Sequence, residues 1–352
     1  MIPMDFTTIT EPLLAWYDKH KRDLPWRQNT DPYRVWVSEI MLQQTRVAAV
    51  IPYYERWMQA LPTVAGLAAV EEEELMKLWQ GLGYYSRARN LQKAARLIVN
   101  EYQGQFPNTY DALLKLPGVG EYTAGAVASI AFSERVSAVD GNVLRIVARL
   151  GDIHEDILEQ RVKKMMRQAL DVALPQERSG DFNQALMDLG ATVCLPNGKP
   201  LCEECPLSAL CRARERGTAQ MLPIRTKKAP RRIEELTVYL LIREDTVALR
   251  KRDATGLLAG LWEFPHIAGT LDEEQAGEPL FQWGLTVLDW KKTIRAKHIF
   301  THVEWHMTGY VVKVKGDGMA DFVWADYEKF TSLAVPSAFQ KYDTACRELL
   351  KE

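Results

Sequence analysis

The 352-residue sequence predicts two domains, a mainly α-helical one through about residue 211 and a smaller α+β one from about residue 235. Three observations carry that expectation. Amphipathic stretches with helical spacing, parted by short loops marked with Pro and Gly, fill the first part. Residues 236–243 (LTVYLLIR) and 246–251 (TVALRK) are β-rich runs around a short polar turn, the pattern of a hairpin. Between the two parts lies a basic stretch, 212–234, with Arg212, Arg214, Arg216, Arg225, Lys227, Lys228, Arg231 and Arg232 against the single acid Glu215 in its first twenty-one residues. Its composition suits a solvated linker as well as a surface that touches phosphate.

Taken in order, Asp31 followed by Pro32 reads as an N-cap and a proline at the first helical position, opening a helix through about Thr45. Further helices are expected near 71–80, 86–102, 121–132, 142–150, 156–173 and 182–193. In the second domain, 293–304 and 308–315 favour strands, and a closing helix is expected near 338–350. No fixed-period repeat is present. The composition, 47% hydrophobic and 26% charged, is that of an ordinary globular protein. A net charge of −2 excludes a chain coated in positive charge but not a local basic surface. No apolar run approaches the ~20 residues that span a bilayer. The start, MIPMDFTTIT, lacks the basic and apolar regions of a signal peptide, so a cytoplasmic location is expected.

Of five cysteines, four fall within eighteen residues, spaced Cys194-x7-Cys202-x2-Cys205-x5-Cys211. Such clustering points to metal ligation rather than to disulfides. The spacing suits a [4Fe–4S] cluster, with one thiolate at each iron corner. A four-thiolate zinc site is the alternative, although it more often uses two C-x2-C knuckles and only one occurs here. Cys346, alone in a helical segment, reads as a packed core residue.

Leu116-Pro-Gly-Val-Gly-Glu-Tyr-Thr-Ala-Gly-Ala-Val127 turns tightly between two expected helices, the first ending near Lys115. Gly118 and Gly120 let backbone N–H groups approach an anion, and the following helix adds its positive end. With Val119 between them, these residues form the kind of hairpin that holds a DNA phosphate without reading sequence. Asp140, eighteen residues beyond Tyr122, precedes a helix with Val143, Ile146, Val147 and Leu150 on one face. It reads as an N-cap, and capping is compatible with a role as a cation-stabilising carboxylate. Glu39 has Val35, Trp36, Leu42 and Gln43 as its helical neighbours, so its own helix places no cation beside it. A glutamate on an apolar face is costly unless protonated, bonded to another helix or functional, and desolvation moves its pKa toward that of a general acid.

Together these segments resemble the helix–hairpin–helix DNA glycosylases, and within them the adenine DNA glycosylases of the MutY family. The resemblance covers nearly the whole chain and is carried by Leu24-Pro-Trp-Arg27, Trp36-Val-Ser-Glu-Ile-Met-Leu-Gln-Gln-Thr45, Gly81-Leu-Gly-Tyr-Tyr85, Leu116-Pro-Gly-Val-Gly120, Val139-Asp-Gly-Asn-Val143 and the cysteines. It implies a monofunctional glycosylase that removes adenine opposite 8-oxoguanine, and secondarily opposite guanine, from double-stranded DNA, working as a monomer with a [4Fe–4S] cluster on Cys194, Cys202, Cys205 and Cys211. Glu39 matches the family's general acid and Asp140 its cation-stabilising carboxylate. Gln44 and Tyr84 match side chains wedged into the duplex beside the extruded adenine, and Gly118, Val119 and Gly120 match the backbone grip. In the related endonuclease III group, the residue at the position of Tyr122 is a lysine that forms a Schiff base. A tyrosine cannot, which favours water as the nucleophile over a bifunctional glycosylase/lyase. A non-catalytic lesion binder is the reading from another class.

From 235 on, the chain resembles the family's Nudix-like module, with Thr255-Gly-Leu-Leu-Ala-Gly-Leu-Trp-Glu-Phe-Pro265 after the hairpin. The magnesium-binding helix of a working Nudix hydrolase is not matched: Glu273 and Glu274 are followed by Gly277 one residue too late, and no Arg-Glu pair precedes them. A lesion-reading role is therefore implied rather than hydrolysis. The family's Phe-Ser-His loop stands here as Phe300-Thr301-His302. The first cysteine interval is one residue longer than the family's six, and Pro196-Asn-Gly198 is a turn able to absorb it.

Overall fold

The computed structural model describes residues 5–226 and 230–351, so Lys227 and Lys228 of the basic stretch lie outside the described residues. By contacts the chain divides into two compact units. One holds the chain up to Ala69 and Arg89–Lys227, which includes most of the basic stretch; the other holds Val70–Ala88 and the chain from Lys228 on. Sequence assigned 70–88 to the helical domain. Its partners explain the difference: Lys77 Nζ donates to the Leu333 carbonyl at 3.1 Å, and Gln80 Nε2 to that of Val335 at 2.7 Å.

The first unit is helical. The helix Pro32–Leu42 starts as expected, with the Asp31 carboxylate accepting from Tyr33 N–H and proline in the first turn. Tyr33 and the run Val35–Met41 are buried, the latter including Ser38 and Glu39, and they pack against the helix Glu121–Phe132. The helix ends three residues earlier than Thr45, because Gln43 leaves helical geometry and Gln44 takes a left-handed φ of 60°. A second core gathers Thr10–His20, Gly141–Gly151, Gln160–Ala173 and Ser179–Thr192 around Leu13, Val147, Met166 and Phe182. The helix expected from 156 begins at Gln160, since the Asp156 carboxylate binds Leu158 N–H and the Thr226 backbone instead of leading a helix. Val47–Ala60, which sequence did not single out, is helical despite Pro52 inside it.

Among the described residues, the second unit is built on one sheet of seven strands: β1 Arg232–Arg243, β2 Thr246–Lys251, β3 Trp262–Glu263, β4 His266–Ala268, β5 Thr286–Ile299, β6 Val303–Lys315 and β7 Val323–Ala325. The main path runs β3-β2-β1-β6-β5, with β4 on β1 and β7 on β2. β1 and β6 are parallel and the other pairs antiparallel. Along β1, Leu236, Val238 and Leu240 face a core closed by Phe339, Tyr342 and Cys346 of the C-terminal segment. Tyr239 and Leu241 face the opposite core, closed by Ala276 and Leu280 of the helix Glu273–Gln282. This period-two burial on both faces is why β1 reads as a nearly continuous apolar run. Cys346 is fully buried, as expected, and burial pushes its thiol up to about 12. The strand expected at 293–304 is in fact the end of β5, a turn at Phe300–His302, and the start of β6, with Phe300 N–H donating to the Val303 carbonyl at 2.8 Å.

Candidate active site and cysteine loop

A cavity of about 580 Å³ opens in the helical unit, and Glu39, Gln44, Tyr122 and Asp140 all line it. Glu39 is 5% exposed, and its Oε2 accepts a hydrogen bond from the Tyr122 hydroxyl at 2.7 Å. Burial raises the Glu39 pKa from 4.5 to about 7, and Asp140 adds to the rise; the Tyr122 bond and the Arg27 charge oppose it without cancelling it. The partner that the sequence left open is therefore a neutral phenol from another helix. Burial, and then the charges of Glu39 and Asp140, keep that phenol protonated well above the usual range.

Asp140 is the N-cap of Gly141–Gly151. Its Oδ1 accepts from Asn142 N–H at 2.9 Å and Val143 N–H at 2.8 Å, and its Oδ2 accepts from Asn142 Nδ2 at 2.7 Å. The carboxylate is thus fixed in orientation where the helix dipole favours an anion. A buried acid near neutrality and a positioned carboxylate on one cavity can protonate a leaving group and stabilise a cation.

The hairpin leads directly into this wall, since Tyr122 is the second residue of Glu121–Phe132. That helix starts at Gly120 without a side-chain cap, so its first-turn N–H groups are left for an external acceptor. The helix before the hairpin is short, Tyr110–Leu113, rather than reaching Lys115. Val119 buries its side chain and donates its N–H to the Leu116 carbonyl, whereas Gly118 and Gly120 are exposed. Gly118 has φ 77°, and a Cβ there would stand 2.6 Å from Asn90 Cβ. Gly118→Ala should therefore lower stability by about 1–3 kcal/mol and weaken binding to any DNA duplex alike, which thermal melts and binding to undamaged DNA would check.

Sequence reasoning gave Arg22, Arg27, Gln184, Met187 and Asp188 no role, yet the first four line the cavity and Asp188 binds two of them. Asp188 carried the same signal as Glu39, an acid on the apolar face of a helix (Ser179–Thr192) with no cation at helical spacing.

The four clustered cysteines share a second pocket with Ile146, Leu150, Leu189, Val193 and Leu207. Burial raises the Cys205 thiol to about 12, with the neighbouring Cys194, Cys211 and Cys202 adding to it, and burial likewise raises Cys211. Arg149 Nη1 lies 3.2 Å from Cys194 Sγ. The long first interval closes on itself, with Leu201 N–H donating to the Val193 carbonyl and Gly198 in an open left-handed turn. Among the described residues, no three His, Cys, Asp or Glu side chains come together in a way that could hold one metal ion. Three arginines of the basic stretch are ion-paired: Arg214 with Glu203, Arg216 with Asp152, and Arg232 with Glu234.

In the second unit, Phe300, Thr301 and His302 form the β5–β6 turn, with Thr301 and His302 exposed. Tyr84, 45% exposed with a left-handed φ of 47°, places its hydroxyl 2.8 Å from Thr301 Oγ1. Gln44 and Tyr84 are thus both exposed residues held in αL, a backbone conformation uncommon for such side chains.

The model of the HhH-GPD superfamily base excision DNA repair protein matches residues 37–172, and that of the NUDIX domain matches 237–344. The adenine DNA glycosylase of Rattus norvegicus is 38% identical over 96% of this chain and 77% of its own length. That of Homo sapiens is 37% identical over 96% and 73%, and that of Buchnera aphidicola subsp. Baizongia pistaciae 34% over 85% and 83%. A thermostable thymine-DNA glycosylase superposes with a TM-score of 0.55 at 30% identity, covering 60% of this chain and 97% of its own. A non-covalent endonuclease III–DNA complex gives 0.51 at 28% identity over 60% and 97%.

Proposed function

The chain belongs to the adenine DNA glycosylase family of base excision repair, and from that premise we propose that it excises adenine paired with 8-oxoguanine by monofunctional hydrolysis, with Glu39 as acid and Asp140 as electrostatic partner. The observation that carries the reading is the sharing of one cavity by a buried carboxyl with a pKa of about 7 and a carboxylate oriented by a helix N-terminus. The adenine must leave the stack to reach that cavity. Glu39 then gives its proton to a ring nitrogen of the base. The C1′–N9 bond breaks with its electron pair leaving on the adenine, while Asp140 stabilises the positive charge on the sugar. Water adds to C1′, and its proton returns to Glu39. The Tyr122 hydroxyl occupies Glu39 Oε2, which leaves Oε1 to carry the proton. A phenol in this place offers no amine for an imine, which supports hydrolysis over lyase chemistry.

Gly118 and Gly120 with the following N–H groups would hold a DNA phosphate, and Gln44 and Tyr84 would press on the duplex. Phe300, Thr301 and His302 would read the oxidised guanine. Threonine keeps the hydroxyl of the family's serine, and its Oγ1 already meets a hydrogen-bonding partner in Tyr84. Cys194, Cys202, Cys205 and Cys211 would hold a [4Fe–4S] cluster. Four thiols around one pocket suit one thiolate per iron corner, and cationic iron offsets the burial that disfavours their charge. When bound, the cluster ties the loop 194–211 together. Analysis of the purified protein should find iron and sulfide near 4 each per chain (~4); zinc in their place would refute that assignment.

The test of substrate choice is single-turnover adenine release from duplexes with adenine opposite 8-oxoguanine, guanine or thymine. Fastest release opposite 8-oxoguanine supports the reading, and equal rates opposite all three refute the lesion-reading role.

A further inference from the structure

Asp188 is wholly buried, and two arginines of the cavity converge on it. Arg27 binds it with both arms, Nη1 to Oδ2 at 2.7 Å and Nη2 to Oδ1 at 2.9 Å. Arg22 adds Nε to Oδ1 at 2.7 Å, Nη2 to Oδ1 at 2.6 Å and its own backbone N–H at 3.2 Å. Burial works against the Asp188 anion, but the Arg27 hydrogen bonds and the two positive charges outweigh it and hold the carboxyl below its usual range. The bidentate fork fixes the guanidinium plane, which a point charge would not do.

Glu39 lies within the electrostatic reach of Arg27. The charged and titratable groups facing its cavity are Arg22, Arg27, Arg46, Tyr122 and Asp140. The only bond to the Glu39 carboxyl among them comes from neutral Tyr122. Released from Asp188, the Arg27 guanidinium could close on Glu39 and favour its charged form, so that the carboxyl would lose its proton to solvent.

We propose that Asp188 is a positioning residue whose task is to sequester Arg27 and Arg22, holding both guanidiniums off Glu39 so that the acid keeps its proton. The proposal rests on the reading of Glu39 as the acid. It explains why a buried carboxylate sits one residue beyond Met187, whose sulfur also meets the Tyr122 hydroxyl.

The test is the pH profile of single-turnover adenine release for the wild type, Asp188→Asn, Arg27→Gln and Glu39→Gln. In Asp188→Asn the freed arginine pairs with Glu39, so the alkaline limb should move down by about one unit, within the range for a carboxylate gaining a cation. Rates should then be about 10-fold lower at pH 8 and near wild type at pH 5.5, with binding to the lesion duplex retained. Arg27→Gln should move the same limb upward. A uniform loss at every pH in Asp188→Asn, with the limb unmoved, overturns the proposal and leaves Asp188 as a structural tether. Where Asp188→Asn yields no folded protein, the double variant Arg22→Gln/Asp188→Asn, which leaves one guanidinium fewer to bury unpaired, decides: a limb moved downward sustains the proposal and an unmoved limb overturns it. Wild-type release by Glu39→Gln would instead overturn the acid assignment itself, so the two failures are distinguishable.

Discussion

Glu39→Gln should reduce single-turnover adenine release by roughly 10²- to 10⁴-fold, the usual share of a general acid, while binding to the lesion duplex stays near wild type. The amide has nearly the shape of the protonated carboxyl and can still accept from the Tyr122 hydroxyl, but it has no proton to give. The pH dependence of the wild type follows from the same burial. With a pKa of about 7, Glu39 is protonated below neutrality, so release should be fastest there and fall as pH rises through about 7. The stability sign runs the same way. The folded-state pKa lies above the ordinary 4.5, so the folded form holds the proton more tightly; that stability is present at low pH and lost as pH rises toward and through about 7. Glu39→Gln removes the group that must charge in a buried place. Its melting temperature should therefore exceed that of the wild type at pH 8, with the gap closing toward pH 4.5. A catalytically dead variant that is more heat-resistant at alkaline pH is a combination that damage to the fold would not produce.

Asp140→Asn is the second large effect. Asparagine caps helices about as well as aspartate, so Asn142 and Val143 N–H should keep an acceptor, only the bond from Asn142 Nδ2 to the second oxygen is lost, and the melting temperature should change little. What is lost is the negative charge beside the sugar. Removing one such electrostatic group from a transition state typically costs about 10²- to 10³-fold, and that loss should appear in release rate and not in lesion affinity. Asp140→Ala should lose the same activity and also about 1 kcal/mol of stability with the cap. Equal release by the Asn variant and the wild type would reduce Asp140 to a cap.

The sequence made the two-part architecture legible because period-3.6 amphipathicity gives way to β-rich runs where the fold changes. Glu39 and Asp140 stood out for local reasons, an acid on an apolar helix face and an aspartate before a helix. Their convergence was not legible, since it depends on how Pro32–Leu42, Glu121–Phe132 and Gly141–Gly151 pack. For the same reason Tyr122 was read through its place after the hairpin and not as the hydrogen-bond partner of Glu39. Arg27 lies in Leu24-Pro-Trp-Arg27 and Asp188 inside a helix, 161 residues apart, and only tertiary packing joins them. The early end of the helix Pro32–Leu42 escaped because nothing in Leu-Gln-Gln-Thr marks a break, and a left-handed φ is uncommon for a glutamine such as Gln44. The turn at Phe300–His302 escaped in turn because aromatic and β-branched residues continue through it.

The central claim, hydrolytic removal of adenine without cleavage of the strand, is tested most directly by one measurement: single-turnover reaction of the wild type with a duplex holding one adenine–8-oxoguanine pair, sampled with and without alkali and with borohydride present. The expected result is rapid adenine release, strand breaks only after alkali and no trapped protein–DNA adduct. Breaks without alkali together with a borohydride-trapped adduct would contradict it, and would place an amine in the role assigned to water.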